Sequence, residues 1–196
     1  MYYKNTEIHY SPSDLITFLE SPFASHMERS LLEDKSVSKY LDPEDKMLLN
    51  LQKKGQEHEQ KFISEFISEG KKVLKIQDEK IDNRRSKTLE GIADGVDVIV
   101  QAYLQLDNFR GIADFLIKVP GSSKFGEYQY EIWDAKLSNT VKPYFAIQLC
   151  GYAEMLENDQ GIRPEKLTII LGNKNTVHLR TQDYFAYFQL AKLSFI

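Results

Sequence analysis

Two residues at the end of one apolar-rich segment have the types and spacing for metal-assisted or phosphate chemistry: Asp134 and Lys136. The segment starts near Tyr128. Read as a β-strand, its side chains alternate between faces, so Tyr128, Tyr130, Ile132, Asp134 and Lys136 share one side. Gln129, Glu131, Trp133 and Ala135 take the other. An acid and an amine then stand together at the end of an apolar face, where charge is costly to bury without compensation. A metal ion would compensate the acid, and a phosphate would compensate the amine. By itself an Asp-x-Lys triplet is common and is ordinarily a surface pair where a strand leaves its sheet. The rest of the chain decides.

Asp114 is the second acid. Val96–Leu106 and Phe109–Val119 read as a hairpin joined by Asp107-Asn108. In its second arm Ile112, Asp114, Leu116 and Lys118 share a face, which sets an acid among apolar neighbours, where Asp is disfavoured. Strands adjacent in sequence tend to pair, so Asp114 and Asp134 are expected to meet across an antiparallel ladder. Two carboxylates that close repel unless a cation lies between them. Such oxygen ligands suit Mg²⁺ or Mn²⁺, and an added imidazole shifts the preference towards Mn²⁺.

The imidazole is His58. A helical pattern starts at Asp42-Pro43-Glu44-Asp45 and runs to Glu69, with Gly70 as its stop. Leu48, Leu51, Gly55, His58, Phe62 and Phe66 form one stripe, which turns His58 inward. A lone inward histidine is ordinarily a packed, hydrogen-bonded core residue. Gly55, one turn earlier, opens space beside it and tilts the reading towards a ligand. Gln148 and Tyr152 lie one turn apart on a helix from Pro143 through about Leu156, with Lys142 at its start. Arg84, Arg85 and Lys87 form a small basic cluster, read as a solvated face.

Other elements must carry these residues. Ser11 caps a helix with Pro12 in its first turn, a second helix runs from Pro22 towards Leu32, and Lys35–Tyr40 reads as a polar loop. Lys72–Ile76 reads as a strand, and Asp82–Gly95 as partly helical. Pro120-Gly121-Ser122-Ser123 reads as a turn, and Leu137–Lys142 as a loop. Lys166–Gly172 and Thr176–Arg180 read as strands about a turn at Asn173–Asn175, and a helix follows from Gln182.

The totals exclude several classes. A chain of 196 residues, 42% hydrophobic and 28% charged, suits one folded domain. Net charge is −4, so any phosphate-binding surface is local. The single cysteine, Cys150, excludes an internal disulfide and a four-cysteine zinc or iron–sulfur site. No signal peptide or bilayer-length apolar run is present, so the cytoplasm is the expected compartment and no membrane partner is expected. The last helix runs apolar to Ile196 with no polar tail, which suggests a fragment of a longer chain.

In this order the motifs resemble the PD-(D/E)XK nuclease superfamily, in its RecB-like branch. The resemblance rests on Gly55-Gln56-Glu57-His58, Gly111-Ile112-Ala113-Asp114, Asp134-Ala135-Lys136 and Gln148-Leu149-Cys150-Gly151-Tyr152. Tyr10-Ser11-Pro12-Ser13-Asp14-Leu15, with Ser21-Pro22 after it, is similar to the start of such domains. The match spans roughly residues 11–172. Related nucleases often carry a cysteine before that proline; Ser21 stands there, so no iron–sulfur cluster is expected.

The resemblance implies an α/β fold with a restriction-endonuclease-like core: a mixed central sheet flanked by helices, with an N-terminal helical region. The single domain then divides into an N-terminal segment 1–42, a core 43–181 and a C-terminal helix 182–196. The resemblance also implies that His58, Asp114, Asp134 and the Ala135 main-chain carbonyl bind Mg²⁺ or Mn²⁺. Lys136 orients water or stabilises the transition state, with Asp114 and Asp134 counted among the catalytic residues. Gln148 and Tyr152 hold the nucleic-acid backbone or buttress the site, and Lys142 contacts phosphate as a third nucleic-acid-binding residue. The implied activity is hydrolysis of DNA phosphodiesters to 5′-phosphates, as an exonuclease or flap-type enzyme of DNA repair or of a helicase–nuclease. RNA stays open as a substrate, and a helicase or second nuclease domain C-terminal to this segment is an implied partner. The alternative is a nucleic-acid-binding module of a larger helicase–nuclease with little activity of its own.

Overall fold

Apolar-rich segments over Val98–Ala135, covered on both faces, build the centre of a six-stranded mixed sheet. A computed structural model describes residues 1–4, 6–41, 45–77 and 80–196. The sheet has the order β3-β4-β5-β6-β7-β8. Its strands are β3 (Val73–Lys75), β4 (Val98–Leu106), β5 (Phe109–Ser123), β6 (Gly126–Ala135), β7 (Lys166–Ile170) and β8 (Thr176–Arg180). β4, β5 and β6 form an antiparallel meander, while β3 joins β4 and β7 joins β6 in parallel. Each parallel pair needs a helical crossover: α4 (Ile81–Ala93) before β4, and α5 (Pro143–Gln160) before β7.

One face of the sheet carries the main core. Ile99, Leu116, Tyr130, Ile132 and Ile169 pack there beneath α5, α1 (Pro12–Glu20) and α6 (Gln182–Phe195). α5 is apolar nearly all round, as a helix buried between a sheet and other helices must be. Pro143 opens it and Gly161, in left-handed backbone at φ 79, closes it. The opposite face carries a second core. Val98, Val100, Phe115 and Ile117 pack there against Ile63 and Phe66 of α3 (Lys46–Ser68). α2 (Pro22–Glu33) follows α1, with Ser21 capping it through the Ala24 amide. No described helix is long and apolar enough to cross a membrane.

The sequence reading needs several corrections. Pro120–Ser123 is strand, and the turn is Lys124-Phe125, because Ser123 still pairs with Gly126. Residues 35–40 form a 3-10 helix, not a loop, capped by the Asp34 side chain. The first residues are not helical: β1 (Tyr2–Lys4) and β2 (Glu7–His9) make a hairpin whose end bridges Tyr10 to Phe109. α5 runs one turn beyond Leu156. Arg85 is no solvated cation, since it grips the buried Asp159 of α5 through both guanidinium arms.

The helix start expected at Asp42-Pro43-Glu44 lies outside the described residues; Asp45 caps α3 through the Met47 amide. The expected stripe on α3 holds only in its C-terminal half. Phe66 is buried, whereas Leu48 and Leu51 are exposed, as are Met47 and Leu49.

Candidate active site

The strands β5 and β6 part at one end, and the candidate residues line the gap. Their ladder pairs Leu116 with Ile132 and Phe115 with Trp133. One step further Asp114 faces Asp134, but no main-chain pair continues. Instead the Ala135 amide donates to Asp114 Oδ2 at 2.9 Å. The carboxylate takes the place of the backbone acceptor that the ladder lacks there. β6 then turns to β7 alone, and the Lys136 amide donates to the Ile170 carbonyl. A pocket of about 350 Å³ opens at this point.

The same level of the sheet carries a break in alternation. On β4, Val98 and Val100 face the second core, yet Ala102 and Leu104 face the main one with Ile99. On β5, Phe115 and Ile117 face the second core, while Ala113 and Leu116 face the main one. The switch falls at Gln101 and Asp114, which stand opposite each other between the pairs Val100–Phe115 and Ala102–Ala113. Asp114 therefore does not continue a face with Ile112, Leu116 and Lys118 as simple alternation implies. Gln101 takes left-handed backbone at φ 56, rare for a residue with a Cβ.

The pocket wall holds Asp114, Asp134, Ala135, Lys136, Gln148 and Tyr152. These are six of the eight residues singled out from the sequence. Lys136 Nζ lies 2.8 Å from Asp134 Oδ2, an ion pair in which that buried oxygen accepts no aligned hydrogen bond. The same ammonium donates to Gln148 Oε1 at 2.9 Å. Gln148 Nε2 donates to Tyr152 Oη at 3.4 Å, so α5 aims the ammonium. Tyr152 fits here because residue 111 has no side chain: a Cβ there would come within 2.7 Å of Tyr152 Cε1.

The charge balance is acidic. Burial, then the neighbouring Asp134 carboxylate, holds the Asp114 carboxyl well above its usual range, against the pull of the Ala135 amide. Burial raises Asp134 too, opposed by Lys136. Burial likewise raises the Tyr152 hydroxyl. The chemistry of these donors fits a divalent cation: two hard carboxylates meet on neighbouring strands, with the single Lys136 ammonium against their charge.

Two expected residues are not on the wall. His58 is buried edge-on against Phe62, with ring centroids 5.1 Å apart, and its Nε2 has no hydrogen-bond partner. Among the described residues no three His, Cys, Asp or Glu side chains stand close enough to hold one metal ion, so His58 does not join Asp114 and Asp134 as a ligand set in this structure. The helical period explains this. α3 turns Gln52, Gly55, Gln56 and Glu59 to the pocket, a face offset from His58 by about a third of a turn. Lys142 caps α5 on the exposed surface, away from the wall.

Two residues of the site were missed by the sequence reading. Glu59 is next to His58, and burial raises its carboxyl. Gln101 donates to Glu59 Oε1 at 2.8 Å and lies 3.5 Å from Asp114 Oδ1. The available signal for Gln101 was a polar residue interrupting the run Val98-Ile99-Val100 and Ala102-Tyr103-Leu104. No protein-family model matches this chain, and no curated protein matches its sequence.

Proposed function

We propose that this chain is a metal-dependent nuclease of the PD-(D/E)XK type with a restriction-endonuclease-like core, hydrolysing phosphodiester bonds of DNA. The observation that carries the reading is the meeting of Asp114 and Asp134 across parting strands, with the Lys136 ammonium 2.8 Å from Asp134. Carboxylates repel at such proximity and call for a cation. An ammonium beside them suits the oxygens of a reacting phosphate.

When bound, Mg²⁺ or Mn²⁺ supplies acidity to a nearby water and countercharge to the phosphoryl oxygens. Asp114, Asp134 and the Ala135 main-chain carbonyl would hold the cation. Lys136 stabilises the charge that grows on the phosphoryl oxygens as water attacks phosphorus. The P–O3′ bond breaks and the leaving oxygen takes a proton, leaving a 3′-hydroxyl and a 5′-phosphate. Gln148 and Tyr152 keep the ammonium aimed, and Lys142, exposed at the start of α5, meets the nucleic-acid backbone. The reading places the protein in the cytoplasm, with a helicase or second nuclease domain as partner.

The test is digestion of end-labelled linear and closed circular DNA with Mg²⁺ or Mn²⁺, with the Lys136→Ala protein as control. Cleavage by the parent, slowed about 10²–10³-fold in the variant, supports the assignment. Equal rates overturn it. One observation favours a second reading, a nucleic-acid-binding module without cleavage: no third His, Cys, Asp or Glu side chain stands in range of the two acids among the described residues. Binding of DNA with no cleavage in excess Mn²⁺ is its signature.

A further inference from the structure

The most unusual backbone near the pocket belongs to Gln101. Left-handed backbone in mid-strand is a strained state for a residue with a Cβ, and such strain persists only where the surroundings enforce it. Here two things follow from it. The faces of β4 exchange at that residue, and the side-chain amide is delivered between Glu59 of α3 and Asp114 of β5. The amide donates to a carboxylate whose burial is otherwise unfavourable. The charge of Lys75 also favours the ionised Glu59, and that of Asp134 opposes it. An acid drawn towards two others gains nothing in a purely structural role, because like charges brought together cost stability.

We propose that Gln101 is a positioning residue: its side-chain amide ties Glu59 to Asp114 and so presents a carboxylate of α3 to the cation site, in the place the sequence reading gives to His58. The inference rests on the metal-dependent reading of the pocket. Glu59 is the carboxylate that α3 brings to the pocket wall, while His58 is turned against Phe62. Glu59 stands short of a three-carboxylate set with the two aspartates, so a bound cation draws it inward, and the Gln101 amide, bonded to Glu59 at 2.8 Å and 3.5 Å from Asp114, is the side chain that links them.

The test measures Mn²⁺ affinity by calorimetry, and apo melting temperature, for the parent and five variants. Gln101→Ala removes the amide and is expected to weaken Mn²⁺ at least tenfold. Gln101→Gly removes both amide and backbone strain. Its apo melting temperature is expected to rise by about 2–4 °C, while Mn²⁺ affinity falls as for the alanine variant. A residue that only held the fold together could not show that opposition. Glu59→Gln is expected to weaken Mn²⁺ at least tenfold, and His58→Ala to leave it within about twofold. The inference is overturned if both Gln101 variants bind Mn²⁺ within twofold of the parent, or if His58→Ala loses binding and Glu59→Gln does not. Asp114→Asn separates the two levels. If it binds Mn²⁺ as the parent does, or if the parent binds none, the reading of the pocket itself fails.

Discussion

The Ala135 amide donates a 2.9 Å hydrogen bond to Asp114 Oδ2, so a carboxylate of β5 is fastened to the main chain of β6 at the point where the two strands separate. The bond helps hold Asp114 ionised, but burial and Asp134 outweigh it and keep its proton affinity high. The native pair thus keeps repulsion that Lys136 offsets in part and that a metal cation or a proton relieves further.

Asp114→Asn is expected to stabilise the metal-free protein while abolishing cleavage. The raised carboxyl means that the native state binds more protons than the unfolded chain from about pH 4 upward. Stability from this group is therefore full in acid and falls as pH rises through that window. Thermal melts with chelator should show a higher melting temperature near pH 5 than at pH 8. The variant should melt several degrees above the parent at pH 8, with a flatter pH dependence, since ~1 kcal/mol corresponds to ~2–4 °C at this size. A lower melting temperature for the variant would contradict the stored repulsion.

Lys136→Ala should separate binding from chemistry. Loss of a preorganised cation at a charge-bearing transition state costs about 10²–10³ in rate. The same substitution removes a positive charge 2.8 Å from Asp134, so Mn²⁺ should bind at least as tightly. Single-turnover cleavage and the Mn²⁺-induced rise in melting temperature report the two effects separately.

Gly111→Ala should act on the site through Tyr152. The added methyl would lie 2.7 Å from Tyr152 Cε1 and 3.1 Å from Pro12 Cδ, and neither ring moves cheaply. Overpacking of this kind costs about 1–3 kcal/mol. Because Tyr152 supports Gln148, and Gln148 receives the Lys136 ammonium, cleavage should fall along with the melting temperature. A variant as stable and active as the parent would show that the aromatic ring has room.

Arg85 and Asp159 should behave as one structural unit remote from the chemistry. Arg85→Ala leaves the almost fully buried Asp159 carboxylate without its guanidinium, which costs about 3 kcal/mol. The double replacement Arg85→Met with Asp159→Leu should cost much less, because neither charge is left stranded. Denaturant midpoints for the cycle measure the coupling, and DNA cleavage by the folded variants should stay at the parent rate.

Much of this was legible before folding. Asp107-Asn108 between two alternating runs specified the β4–β5 hairpin, and Asp107 takes the left-handed backbone that such a turn uses. Adjacency then paired β5 with β6, which brought Asp114 opposite Asp134. The i, i+4 spacing placed Gln148 and Tyr152 together on α5. Two kinds of feature escaped. Gly121 resembled a turn residue, yet it sits at a shift of register between the Pro120–Tyr128 and Ser123–Gly126 pairs, and pairing with β6 carries the strand past it. Arg85 read as solvated because its partner is 74 residues away.

The sequence by itself determined most of the helices and central strands, their order and the residue types offered to the pocket, because periodicity and turn chemistry act over a few neighbouring residues. Tertiary structure decided which side chains meet. It set the rotation of α3, so that Glu59 and not His58 faces the pocket. It placed the exchange of faces at Gln101 and Asp114, and it opened the gap between β5 and β6. A helix's rotation about its axis is chosen by the surface it packs on, and a break in alternation by the strand across from it. Neither surface exists until distant segments have come together.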